Sequence, residues 1–153
     1  MKNKTLGYTL IEIMIVMSIV ALLASIAVPA YQNQIQKSRR SDAQAVITAA
    51  AASQERWYFQ FSGYSDSIDN VGGTGGSLIS PAGYYSVAIT NNSGVGNCVG
   101  GGAVAYNCFT LTATPVAGKT QADDDDCASF SLTQLGERTA LDSASNDATS
   151  QCW

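Results

Sequence analysis

Glu12 is the residue of this chain that most needs a chemical partner. It stands directly before IMIVMSIVALLASIAVPA, residues 13–30, an apolar run interrupted only by Ser18, Ser25 and Pro29. A carboxylate set into the apolar part of a membrane helix costs about 2.5–3.5 kcal/mol on insertion scales unless it is matched. Gly7 lies five residues earlier, behind a short segment carrying Lys2 and Lys4. Cleavage after Gly7 would free an α-amino group on Tyr8. The ammonium of one copy could then pair with Glu12 of its neighbour, neutralising both charges only when the copies are in register. The competing reading leaves Glu12 at the headgroup boundary, where it snorkels.

Other chemistry is poorly supplied. The chain has no histidine, which removes the usual Ser-His and Cys-His nucleophile pairs, and Asp66, Asp69 and Asp142 show no spacing of a paired acid and base. No catalytic residue, cofactor or metal site is expected. Asp123–Asp126 is the densest charge; it could offer oxygens to calcium, but it lacks the spaced ligands and glycine of a helix-loop-helix site and reads better as a solvated loop. The glycines of Gly72–Gly76 are not followed by a helix pattern, so they form a flexible loop rather than a phosphate cradle. Cys98, Cys108, Cys127 and Cys152 form no pair of CxxC motifs, which argues against zinc. An even count in an exported domain predicts two disulfides, with three possible connectivities.

The elements that must position these groups follow from periodicity. The apolar run approaches the roughly 20 residues that cross a bilayer, and Ala21 with Ser25 gives a small-xxx-small pair suited to close helix packing. Pro29 removes a backbone donor and predicts a kink or local opening. From Tyr31 the pattern turns amphipathic, with Ile35, Ala43, Val46, Ile47, Ala50, Trp57, Tyr58 and Phe61 at helical spacing, so one helix is predicted from Tyr8 to about Tyr58. Strands are predicted at Tyr84–Thr90, Ala105–Pro115 and Ala128–Leu135. In the last two, Phe109, Leu111, Ala113, Phe130 and Leu132 alternate with Ser or Thr. Ser62–Gly83 reads as a connecting loop, and Gly136 as a turn. The expected fold class is α+β: a long N-terminal helix, membrane-spanning in its first half, packed on a small antiparallel β-sheet head of three or four strands.

Gly7, aromatic Tyr8, TLIE ending in Glu12, and the retained apolar helix with Pro29 resemble the N-terminus of a type IV pilin, and the seven-residue leader resembles the type IVa class. Beyond Tyr58 the resemblance rests on the strand-like runs and the C-terminal cysteines, which are similar to those of minor pilins of DNA uptake. It implies a cleaved leader over 1–7, a filament-core helix over 8–30 and a head over 31–153. It also implies cleavage between Gly7 and Tyr8, N-methylation of Tyr8, assembly through Glu12, and extensibility near Pro29. The favoured pairing is Cys98–Cys108 with Cys127–Cys152, the latter resembling the disulfide-bounded loop of pilins. Implied partners are other pilin subunits, the prepilin peptidase, the inner-membrane assembly platform and membrane lipid before assembly. The implied route runs from the inner membrane to an extracellular filament supporting adhesion, twitching motility or DNA uptake. A DNA-uptake receptor and a secretion-system pseudopilin are the alternatives.

Charge bears on the DNA alternative. Of 8 basic and 12 acidic residues, Lys2 and Lys4 belong to the leader, and from Trp57 onward only Lys119 and Arg138 oppose nine carboxylates. Phosphate binding draws on clustered Lys and Arg, so the acidic head disfavours DNA. Lys37, Arg39 and Arg40 form the one basic trio; subunit pairing or solvation is the preferred reading for it.

Overall fold

The computed structural model of the chain describes residues 7–90 and 106–153. The backbone divides into two compact units, residues 1–35 and 36–153. Helix α1, Leu10–Phe61, belongs to both.

In the first unit every described residue before Ile35 is exposed. The most apolar window of α1 has a mean hydropathy of 2.6 and no burial within the chain. Such a surface meets water only at great cost, so lipid or other protein must cover it. The helix assignment runs through Pro29, where the proline ring leaves the carbonyl four residues back without its usual donor. The Ser18 and Ser25 hydroxyls are satisfied within the helix, donating to the Met14 and Leu22 carbonyls.

The second unit is the head. Five strands follow in chain order across one antiparallel sheet: β1 Leu78–Ile79, β2 Tyr85–Thr90, β3 Thr110–Pro115, β4 Ser129–Thr133 and β5 Arg138–Leu141. The alternation at Leu111, Ala113, Phe130 and Leu132 does what its period requires, placing these side chains on the buried face. Register aligns Val87, Ala113, Phe130 and Ala140 in one row across four strands. Ala43, Val46, Ile47 and Ala50 of α1 join that row, with Tyr85 and Phe109, in a single core. The small alanines leave room for the rings, and Tyr85 meets Phe130 edge-on at 5.7 Å.

Several expectations are corrected. Among the described residues the sheet has five strands rather than three or four. The segment 62–83 is not simply a loop: it contains a 3-10 turn at Ile68–Val71 and strand β1. Its glycines serve backbone geometry. Gly72 ends the turn at φ 114°, and the Gly76 amide donates to the Asp69 carboxylate at 2.8 Å. The helix reaches Phe61, but its apolar face closes at Gln54. That side chain is fully buried because it donates to the Ser65 carbonyl and accepts from the Ser65 amide, both at 2.9 Å. Beyond it Tyr58 and Phe61 are exposed. Trp57 stacks on Phe61 at 4.1 Å and Tyr58 on Tyr64 at 4.9 Å.

Candidate functional site

The N-terminal site is built on the start of α1. Gly7, Tyr8 and Thr9 precede the helix in non-helical, exposed chain. Thr9 occupies the N-cap position and Glu12 the third helical position. The Glu12 amide donates to the Thr9 hydroxyl at 3.3 Å, and the Thr9 amide points at the Glu12 carboxylate at 3.5 Å. This is a capping box, and it satisfies two of the amides that a helix start leaves unpaired. A carboxylate there also faces the positive end of the helix dipole. The Thr-x-x-Glu spacing carries this signal in the sequence, although reading Glu12 only as an assembly group passes over it. Glu12 is thus held four residues from Tyr8 by its own backbone, with its side chain exposed.

The second constellation gathers the acidic run, the basic trio and the C-terminal cysteines. Arg40, 6% exposed, grips Asp124, 4% exposed, with two parallel bonds: Nε to Oδ2 at 2.8 Å and Nη2 to Oδ1 at 2.7 Å. Nη2 also reaches Asp126 at 3.3 Å. The Asp124 hydrogen bond is the main cause that holds the guanidinium above its ordinary range. Arg39 donates to the Thr120 hydroxyl and lies 4.0 Å above the Tyr84 ring. Gln121 donates to Asp124 at 2.8 Å, and Gln44 donates to the Cys152 carbonyl at 2.7 Å. Burial pushes the Tyr85 hydroxyl, in the field of these charges, up to about 12.

This corrects the reading of one residue in each charge run, while Lys37, Asp123 and Asp125 are exposed as a solvated run would be. Arg40 is neither solvated nor free for a neighbouring subunit, because it is the internal counter-ion of the acidic run. Asp124 is not part of a solvated loop, because it faces that counter-ion. Among the described residues no group of three or more Asp, Glu, Cys or His converges as metal ligands would.

The Cys127–Cys152 disulfide is present, with both residues buried and the Cα atoms 5.9 Å apart. It ties the end of the acidic turn, two residues before β4, to the short helix α2, Thr149–Cys152. Cys108 is buried, while Cys98, its expected partner, lies outside the described residues. Trp153 follows, its indole donating to the Thr139 carbonyl at 2.8 Å.

Comparison with known proteins decides the family. Residues 29–131 match the family described as "Type IV minor pilin ComP, DNA uptake sequence receptor", and residues 2–28 match the "Prokaryotic N-terminal methylation motif". The chain belongs to the type IV pilins. This pilin is 32% identical over 114 residues to Fimbrial protein Q of Moraxella bovis, which covers 73% of this chain and 69% of that one. The Type IV major fimbrial protein FimA of Dichelobacter nodosus is 54% identical over 41 residues, 27% of this chain and 26% of FimA. A type IV pilin structure from Shewanella oneidensis overlays with a TM-score of 0.47 at 26% identity, over 77% of this chain and 97% of that one. The pilin is a pilus subunit, of a family whose members are structural proteins, and its exposed N-terminal helix suits insertion in a membrane before assembly.

Proposed function

We propose that this pilin is stored in the inner membrane, cut after Gly7 by the prepilin peptidase, methylated on Tyr8 and passed by the assembly platform into a filament. The new Tyr8 ammonium of one subunit pairs with Glu12 of another. The observation that carries this reading is Glu12 itself: it is held by the capping box at the edge of the exposed apolar part of α1, where a carboxylate needs a cation. Residues 8–30 form the filament core and 31–153 the head. Pro29 supplies a point of extension. Cys98 pairs with Cys108, making the head a doubly cross-linked outer surface. Glu12→Ala tests the pairing: the variant stays in the membrane pool, and its incorporation into filaments falls. Normal incorporation refutes the pairing.

The family match supports a second reading, a minor pilin that acts as receptor in DNA uptake. Charge opposes it. Arg40 is consumed by Asp124, and Arg39 is committed to Thr120 and Tyr84. The exposed cations of the head are Lys37, Arg56, Lys119 and Arg138. A receptor shows binding to duplex DNA that weakens steeply with salt; a purely structural subunit shows none.

A further inference from the structure

The polar contacts of α1 residues 36–44 fall mainly on two segments of the chain, besides a longer one in which the Ala82 amide donates to Asp42 at 3.4 Å. Gln36 donates to the Asp123 carbonyl at 3.4 Å, Arg39 to Thr120, and Arg40 to Asp124 and Asp126; Gln44 donates to the Cys152 carbonyl. Within α1, buried apolar residues begin only at Ala43. The helix segment just before them is therefore held by polar contacts, not by the core.

The two gripping segments are themselves one unit. Cys127 follows Asp126 directly and is bonded to Cys152. The Cys127 amide donates to the Asp124 carbonyl at 3.3 Å, and the Ser143 amide to the Asp125 carbonyl at 2.9 Å. The disulfide thus joins the turn that holds Arg40 to the helix that holds Gln44. Breaking a buried ion pair leaves a charge stranded, so the turn cannot leave Arg40 without a large penalty. Its movement would also drag Cys127.

We propose that Asp124, Asp126 and the Cys127–Cys152 disulfide form one cooperative clasp that fixes α1 where it enters the head, so that the ion pair governs access to the disulfide. Both cysteines are buried, so a dithiol reaches the bond only after the clasp opens. Reduction is then an exchange in which the dithiol thiolate attacks one sulfur, the other leaves as a thiolate, and the reductant closes to its own disulfide. The opening is local: it releases the turn and α2 while Ile47 and Phe130 stay packed.

The test is the rate of reduction of Cys127–Cys152 by dithiothreitol in the full chain in detergent micelles, read by alkylation and peptide mass spectrometry. Arg40→Met accelerates reduction by at least about tenfold. Ile47→Val, which loosens the core of the same helix outside the clasp, stays within about twofold of the parent. Asp126→Asn, at a more exposed position, gives a smaller acceleration and serves if Arg40→Met does not fold. Equal rates for the clasp variants and the parent overturn the proposal. So does acceleration by Ile47→Val beyond about twofold, which would make opening a global event.

Discussion

Arg40 and Asp124, 84 residues apart in sequence, meet in a bidentate pair whose side chains are 7% and 2% exposed. The pair joins the helix to the acidic turn and turns the chain's densest charge inward at one residue. Its energetic sign follows from burial: the intact pair contributes little beyond what an apolar replacement would, but removing one partner strands the other. Arg40→Met is therefore expected to destabilise the head by about 3–5 kcal/mol. Adding Asp124→Leu recovers much of that loss. Urea unfolding of the full chain in micelles checks both.

The Cys127–Cys152 bond closes a loop with a sequence separation of 25. By chain entropy, a loop of that size stabilises by about 3.5 kcal/mol through the unfolded state. The double substitution Cys127→Ser with Cys152→Ser should lower stability by that order, measured as the shift in urea midpoint at constant slope. A shift near zero would mean that the contacts of Trp153 and α2 hold the C-terminus unaided.

Alkaline pH gives a separate check. Burial raises the Tyr85 hydroxyl to about 12, and burial followed by Glu55 does the same for Tyr64. A raised folded value means that the folded state retains protons which the unfolded chain gives up near pH 10. The stability from these protons is complete below pH 10 and is lost as pH rises toward 12. Tyr85→Phe should flatten that limb in thermal melts collected from pH 9 to 12, and Tyr64→Phe should flatten it less because Tyr64 is only partly buried.

Gly73 tests the connection between helix and sheet. A Cβ there would stand 2.8 Å from the Ile68 carbonyl oxygen and 2.9 Å from that of Ser77, both backbone atoms that cannot step aside cheaply. Gly73→Ala should cost about 1–3 kcal/mol as an overpacking change, whereas the neighbouring Gly75 has open space but a φ of 63°. Comparing the two alanine variants separates crowding from backbone strain.

The sequence made the frame legible wherever one period governed many residues. The spacing of Ala43, Val46, Ile47 and Ala50 marks a helix face, and the alternation through Leu111, Ala113, Phe130 and Leu132 marks strand faces, because burial acts on every repeat. Strand β5 was not legible: in Arg138–Leu141 only Ala140 is buried, so no apolar alternation remains to be seen. Strand β1 is two residues long and stands out only through its pairing with Val87 and Ser86. The clasp was hidden for a different reason. A charge run is ordinarily a solvated face, and nothing local reveals that Asp124 has a guanidinium waiting on a distant helix. Gln54 was equally opaque, because its burial depends on the backbone of Ser65. The capping role of Glu12 was written in Thr9-Leu10-Ile11-Glu12, where one carboxylate serves two requirements and the more conspicuous one masks the other.

The proposed processing at Gly7, with assembly into a filament through Tyr8 and Glu12, fixes the mass of the mature chain. Intact mass spectrometry of the chain from sheared surface filaments, alongside the membrane fraction, tests it most directly. The expected species begins at methylated Tyr8, carries its disulfides and is present in the sheared filaments, with the Glu12→Ala variant equally processed but confined to the membrane. A chain that retains Met1–Gly7, or one that never leaves the membrane fraction, would contradict it.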